Sequence, residues 1–153
     1  MSAIRPYQET DAESVKALIR ELQAYERGLE ASLTEPTDAF ADRYLAQLIA
    51  DTQSDGIILV ADNDGGVVGY AAGTVEEAID EAIPYFYILD LSVAQTMRGQ
   101  GIGSALMGAM EAFARGKGYT RLTVGVLASN TRAHQLYQRL GFRDYVVELV
   151  KDL

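Results

Sequence analysis

Between Pro84 and Arg115 the chain passes from a near-continuous apolar run, Tyr85-Phe-Tyr-Ile-Leu-Asp-Leu-Ser-Val93, through a glycine-rich segment, Arg98 to Ser104, into residues of helical period. A run this apolar reads as a strand buried on both faces, which requires helices packed above and below a sheet. Leu106, Met107, Met110 and Phe113 form one stripe of a helix from about Ser104 to Arg115, and Gly116-Lys-Gly118 stops it. Leu122 to Leu127 is the next strand. Strand, helix and strand are expected to form a right-handed parallel crossover. The glycine-rich segment then lies between the carboxyl end of a central strand and the N-terminus of a helix.

The flanking elements follow from the same rules. Ile4 to Tyr7 is a short extended opening, and Thr10 with Glu13 reads as a capping box for a helix whose stripe is Val15, Leu18, Ile19, Leu22 and Tyr25. A second helix is expected after Pro36, capped by Asp38, with Phe40, Tyr44, Leu45, Leu48 and Ile49 inward. Gly56 to Ala61 and Val67 to Thr74 read as strands joined by the turn Asp62-Asn-Asp-Gly-Gly66. Asn130 caps a helix carrying Ala133, Leu136, Tyr137 and Leu140, Gly141 ends it, and Phe142 to Val150 alternates as a final strand. The order β-α-α-β-β-β-α-β-α-β predicts an α/β (α+β) fold, a central mixed sheet flanked by helices. With 153 residues, 48% hydrophobic and no linker or repeat, one domain over 1–153 is expected.

Composition excludes several chemistries. The absence of Cys removes a disulfide framework, a thiolate nucleophile and Cys-ligated zinc, and the single His134 cannot form a cluster, so no metal site is expected. No apolar run approaches the roughly 20 residues that span a bilayer, and Met1-Ser-Ala-Ile-Arg-Pro lacks a basic-then-apolar leader. A cytoplasmic protein without a membrane partner is expected. A net charge of −9 argues against nucleic acid, whose binding draws on Lys and Arg. The charge is divided unevenly: residues 1–97 carry 18 acidic and 5 basic side chains, whereas residues 98–153 carry 4 acidic and 8 basic. The two parts are suited to different partners.

Arg98-Gly-Gln-Gly101-Ile-Gly103-Ser104 exposes backbone N–H groups at the positive end of a helix dipole, the arrangement that binds a pyrophosphate. A Walker A loop is excluded because Gly-Ser-Ala stands where Gly-Lys-Ser/Thr is needed, and a dinucleotide fingerprint because Leu106 occupies its third glycine position. The loop is followed, one strand and one turn later, by Asn130-x-x-Ala133-x-x-Leu136-Tyr137-x-x-x-Gly141-Phe142. This pair of motifs resembles the GNAT superfamily of acetyl-coenzyme A dependent N-acetyltransferases. The likeness follows the whole element order and is sharpest over residues 84–145.

The resemblance implies acetyl-CoA as co-substrate, its pyrophosphate held by the Arg98 side chain and by the backbone of Arg98, Gly99, Gln100, Gly101, Ile102, Gly103 and Ser104. Leu91, Ser92 and Val93 are implied to line the pantetheine arm, with a bulge splaying this strand from the next and the Val93 N–H polarising the thioester carbonyl. It further implies that Asn130 hydrogen-bonds the arm and that Tyr137 is the general acid that protonates the departing thiolate. Read without the motif, Tyr137 is an amphipathic core residue. The acceptor's base is open. Asp90, a carboxylate in an apolar strand, is the first candidate, equally readable as a structural Asp that binds nearby backbone; Glu81 is the second. Polyamine-acetylating relatives often carry Glu before this Asp, where Leu89 stands here.

Glu76, Glu77, Asp80 and Glu81 form an acidic cluster where, by the resemblance, GNAT relatives build the acceptor side, which favours a small cationic amine or polyamine; the same cluster also reads as a solvated loop. Tyr25, Tyr85 and Tyr87 are candidate aromatic faces for a cation, although core packing accounts for each, and His134 reads as a surface residue. The expected activity is transfer of acetyl to a primary amine. The competing readings are acetylation of a protein N-terminus or lysine, a longer acyl donor, and a non-catalytic CoA-binding sensory module. The apolar segment Tyr145 to Val150 leaves a homodimer open.

Overall fold

A computed structural model describes residues 2–153. Its five strands lie side by side in chain order, β1 (Ala3–Pro6), β2 (Ile57–Asn63), β3 (Gly66–Glu76), β4 (Tyr85–Val93) and β5 (Leu122–Val124). Neighbours are antiparallel except β4 and β5, which run parallel across the crossover helix α3 (Ile102–Gly116). Helices α1 (Ala12–Leu29) and α2 (Asp38–Thr52) cover one face of the sheet and α3 the other, while α4 (Thr131–Arg139) follows β5. This is the expected mixed sheet between helices.

Two apolar layers hold it. Val15, Leu18 and Ile19 of α1 and Ala41, Leu45 and Leu48 of α2 meet Ile58, Val60, Tyr70 and Ala72 on one face. Leu106, Met107 and Met110 of α3 meet Leu59, Ala71, Phe86 and Ile88 on the other. Small residues in β3 let both layers approach the sheet. A Cβ at Gly73 would lie 2.4 Å from Phe86 Cε1 and 3.2 Å from Met110 Sδ, so the Phe86 ring occupies space that only glycine leaves free.

Several boundaries differ from the sequence reading. The expected Thr10–Glu13 box is replaced by a 3-10 turn, Glu9–Asp11, in which the buried Asp11 carboxylate accepts the Gln8 N–H at 2.8 Å and pairs with Arg5 at 2.8 Å. Thr37, not Asp38, caps α2, its hydroxyl accepting the Phe40 N–H at 3.0 Å. Helix α3 starts at Ile102 rather than Ser104, and β5 ends at Val124 rather than Leu127. The final strand, Phe142 to Val150, is absent: the segment is irregular, and Tyr145, Val146, Val147, Leu149 and Val150 are exposed. Alternation makes a segment competent to pair, but a strand forms only against a partner's backbone groups.

Candidate active site

The cleft begins with an extra residue. Ala72 pairs with Asp90 and Gly73 with Ile88, so Leu89 is inserted in β4 without a partner on β3. The pairing of β4 with β5 covers Phe86–Ile88 and stops at that point. Beyond it the two strands diverge, and a cavity of about 420 Å³ opens between Leu89–Val93 on one side and Val124–Val126 on the other.

The register also aims a backbone donor. The Ala94 N–H donates to the Val68 carbonyl at 2.8 Å, so Val93 and Gly69 face each other as a non-hydrogen-bonded pair. The N–H and C=O of Val93 therefore turn away from β3, toward the cleft. The carbonyl accepts the Arg98 Nε–H at 3.2 Å. Leu91 is in the same phase, and its N–H goes to the Asp90 carboxylate at 3.1 Å. Ser92 is buried and directs its hydroxyl toward the Leu18 carbonyl of α1, at 3.5 Å.

At one end of the cavity lie Arg98, Gly99, Gly101, Ile102, Gly103 and Ser104. Gly101 precedes α3 with φ 80°, a left-handed conformation that glycine adopts without strain, and the first N–H groups of α3 face the opening. Gln100, exposed in the same loop, is not part of the cavity wall. Burial, and then repulsion from Arg132, lower the proton affinity of Arg98. Two guanidinium groups beside a helix N-terminus form a strongly anion-seeking region.

Titratable groups gather at the other end. Tyr70, fully buried, donates its hydroxyl to Asp90, and the Tyr44 hydroxyl faces the same carboxylate. Asp90 is raised above the ordinary carboxylate range by burial, against the lowering effect of these donors and of the Leu91 N–H. Glu26 of α1 also lines the cavity and is raised by burial and by the nearby charge of Asp90. Tyr137 is buried edge-to-face against Phe142, with ring centroids 5.6 Å apart. Its phenol is raised by burial and then by the charges of Asp90 and Glu26, which places all three in one neighbourhood. Asn130 is buried in the cavity wall, and its side-chain oxygen caps α4 by accepting the Ala133 N–H at 3.2 Å.

Asp90, Leu91, Ser92, Val93, the glycine loop, Asn130 and Tyr137 thus border one cleft. Glu81 does not join them. It accepts the Tyr145 hydroxyl at 2.7 Å and pairs with Arg121 at 3.5 Å beside a second cavity, which Tyr85 and Tyr87 also line. Glu76, Glu77 and Asp80 are exposed and stand outside the cleft wall. Tyr25 faces the protein's own Arg98 and Arg132, and His134 pairs with Asp144 at 2.6 Å. Sequence reasoning missed Glu26, Tyr44 and Tyr70. The available signal for Glu26 was its place one turn after Leu22, beside the apolar stripe of α1.

Fold and cleft together define an α/β protein whose two splayed strands open a cavity with two guanidinium groups and a helix N-terminus in its wall. Residues 16–142 match the acetyltransferase (GNAT) family, and the chain belongs to it. It is 31% identical over 148 residues to a thialysine N-epsilon-acetyltransferase of Bos taurus, covering 92% of this chain and 84% of that one. It is 38% identical over 84 residues to an N-acetylaspartate synthetase of Rattus norvegicus, and that match spans 55% of this chain but only 27% of the relative. Among solved structures, the aminoglycoside 6'-N-acetyltransferase AAC(6')-Iy, in complex with the bisubstrate analogue CoA-S-monomethyl-acetylneamine, superimposes with a TM-score of 0.73 at 19% identity. That likeness covers 100% of this chain and 99% of the other, and concerns the fold.

Proposed function

We propose that the protein transfers acetyl from acetyl-CoA to the primary amine of a small cationic acceptor. The observation that carries this reading is the single cleft in which an anion-binding loop, an outward-facing Val93 N–H, two carboxylates and Tyr137 converge. The residues present fit the donor: Arg98 and the turn from Gly99 to Ser104 would take its pyrophosphate, and Leu91 to Val93 would run beside its pantetheine arm. The donor supplies an activated acyl carbon, so that the amine nitrogen forms the new C–N bond as the C–S bond breaks.

The chain's own residues divide the remaining work. The amine must attack as a neutral nucleophile, yet an alkyl ammonium has a pKa near ~10, so its proton has to be taken up at the site. Glu26 takes this role. Both Asp90 oxygens are engaged by Tyr70 and the Leu91 N–H, which fixes this carboxylate in place; burial, and then the charge of Asp90, raise the Glu26 pKa, and the same charge attracts the ammonium. The Val93 N–H donates to the carbonyl oxygen as negative charge develops there. Tyr137, kept protonated by burial, gives its proton to the departing sulfur. The acceptor preference is supported by the paired carboxylates and by the amine substrates in the names of the thialysine and aminoglycoside relatives.

Thiol release from acetyl-CoA, followed with a panel of polyamines, aminoglycosides, amino acids and short basic peptides, tests the reading. Selective turnover of a small cationic amine is the expected result. Turnover of peptides alone would replace the acceptor with a protein N-terminus or lysine, and acetyl-CoA binding without any turnover would leave a CoA-sensing module.

A further inference from the structure

Two arginines of the cleft wall crowd one aromatic ring. The Arg132 guanidinium of α4 stacks 4.1 Å from the centroid of Tyr25 on α1, and the Arg98 guanidinium lies 5.9 Å from the same ring. Among the described residues the carboxylate that pairs with Arg98 is Glu21, at 3.7 Å, and the same Glu21 oxygen accepts the Gln95 N–H at 2.6 Å. Two like charges therefore crowd one ring, and of the two only Arg98 has a carboxylate within reach among the described residues. Burial, and then this repulsion from Arg132, lower the proton affinity of Arg98. A cation–π contact at an exposed site contributes only about 0.5–1 kcal/mol, less than a charge-assisted hydrogen bond to a phosphate.

We infer that Arg132 is a second ligand for the donor's pyrophosphate, and that it reaches the anion by leaving the face of Tyr25. This rests on the reading that the cleft takes acetyl-CoA. The stacked contact ties α1 to α4, and the anion competes with Tyr25 for the same guanidinium. Because Tyr25 precedes Glu26 on α1, release of the ring also frees the wall that carries the acceptor's carboxylate. Tyr25 is thus a positioning residue that weakens anion binding by holding Arg132 back.

The two halves of the contact predict opposite signs. Isothermal titration with inorganic pyrophosphate and with CoA, on the full chain, is expected to give about tenfold weaker binding for Arg132→Gln and about two- to fivefold tighter binding for Tyr25→Leu. Thermal unfolding of each variant checks that the fold is retained. Weaker binding by both variants would make the stack a structural strap and overturn the competition, and wild-type affinity in Arg132→Gln would remove Arg132 from the anion site. If the wild type binds neither pyrophosphate nor CoA, the donor reading itself fails, an outcome distinct from either of these.

Discussion

The two faces of the sheet are built from the same strands and filled differently. Against α3 the layer is apolar throughout, with Leu59, Phe86, Ile88, Leu106 and Met110 interlocked around the space left by Gly73. Against α1 and α2 the layer holds Tyr70 at full burial with its hydroxyl on the Asp90 carboxylate, and Tyr44 and Glu26 stand beside it. A close-packed apolar face gains stability with every methylene, whereas a half-buried carboxylate costs desolvation that the fold recovers only through its donors. The first face holds the strands in place, and the second places charge at the cleft. Tyr137 joins them, its ring packed with the apolar layer and its phenol under the influence of Asp90 and Glu26.

The contrast is sharpest in stability. Phe86→Ala is expected to destabilise the protein by about 3–5 kcal/mol in urea unfolding, as for other buried phenylalanines, and a loss below 1 kcal/mol would mean that this face is loosely packed. Tyr137→Phe, which keeps the ring, is expected to lower kcat by about a hundredfold with little change in acetyl-CoA affinity or unfolding. Equal loss of rate and binding would assign Tyr137 wholly to the packing layer.

The carboxylates carry the smaller effects. Glu26→Gln is expected to reduce kcat about tenfold and to flatten the acidic limb of the pH–rate profile. An unchanged limb would return the base role to Asp90. Burial raises the Asp90 and Glu26 pKa values, so the folded protein binds protons more tightly than the unfolded chain at these two sites. Their contribution to stability is thus full below the ordinary carboxylate range and is lost as pH rises through the folded-state pKa values. Asp11, lowered by its hydrogen bonds to Arg5, behaves oppositely and loses its contribution in acid. Asp90→Asn is therefore expected to keep or slightly increase the melting temperature at pH 8 while turnover falls; a collapse of the melting temperature would make Asp90 structural.

Legibility followed the same division. The strand Tyr85–Val93, the glycine-rich turn into a helix and the Asn130-capped helix were readable because each depends on local chemistry: continuous apolarity, a backbone laid bare by glycine, and an N-terminal cap. Glu26 was not, since on a helical wheel it is one more polar residue, and only the approach of α1 to β4 brings it beside Asp90. Glu81 was misread for the converse reason. Its acidic loop precedes β4 in sequence, yet Arg121 and Tyr145 engage it beside the other cavity. At residues 142–150 the alternating pattern was real, but β5 ends at Val124 and pairs only with β4.

The inserted Leu89 has a consequence for how such a protein can change over time. The cleft exists because one strand contains a residue that its neighbour does not match, and no exchange of one side chain for another removes an insertion from the backbone. On the proposed reading, substitution at Glu26, Tyr44 or Asp90 would retune what is accepted at the far end while the opening persists. Loss of a single codon at position 89 would instead leave Ile88 opposite Gly73 and Asp90 opposite Ala72 in one uninterrupted ladder, and remove the bend that parts β4 from β5. The architecture thus leaves specificity open to small steps and protects the entrance from them.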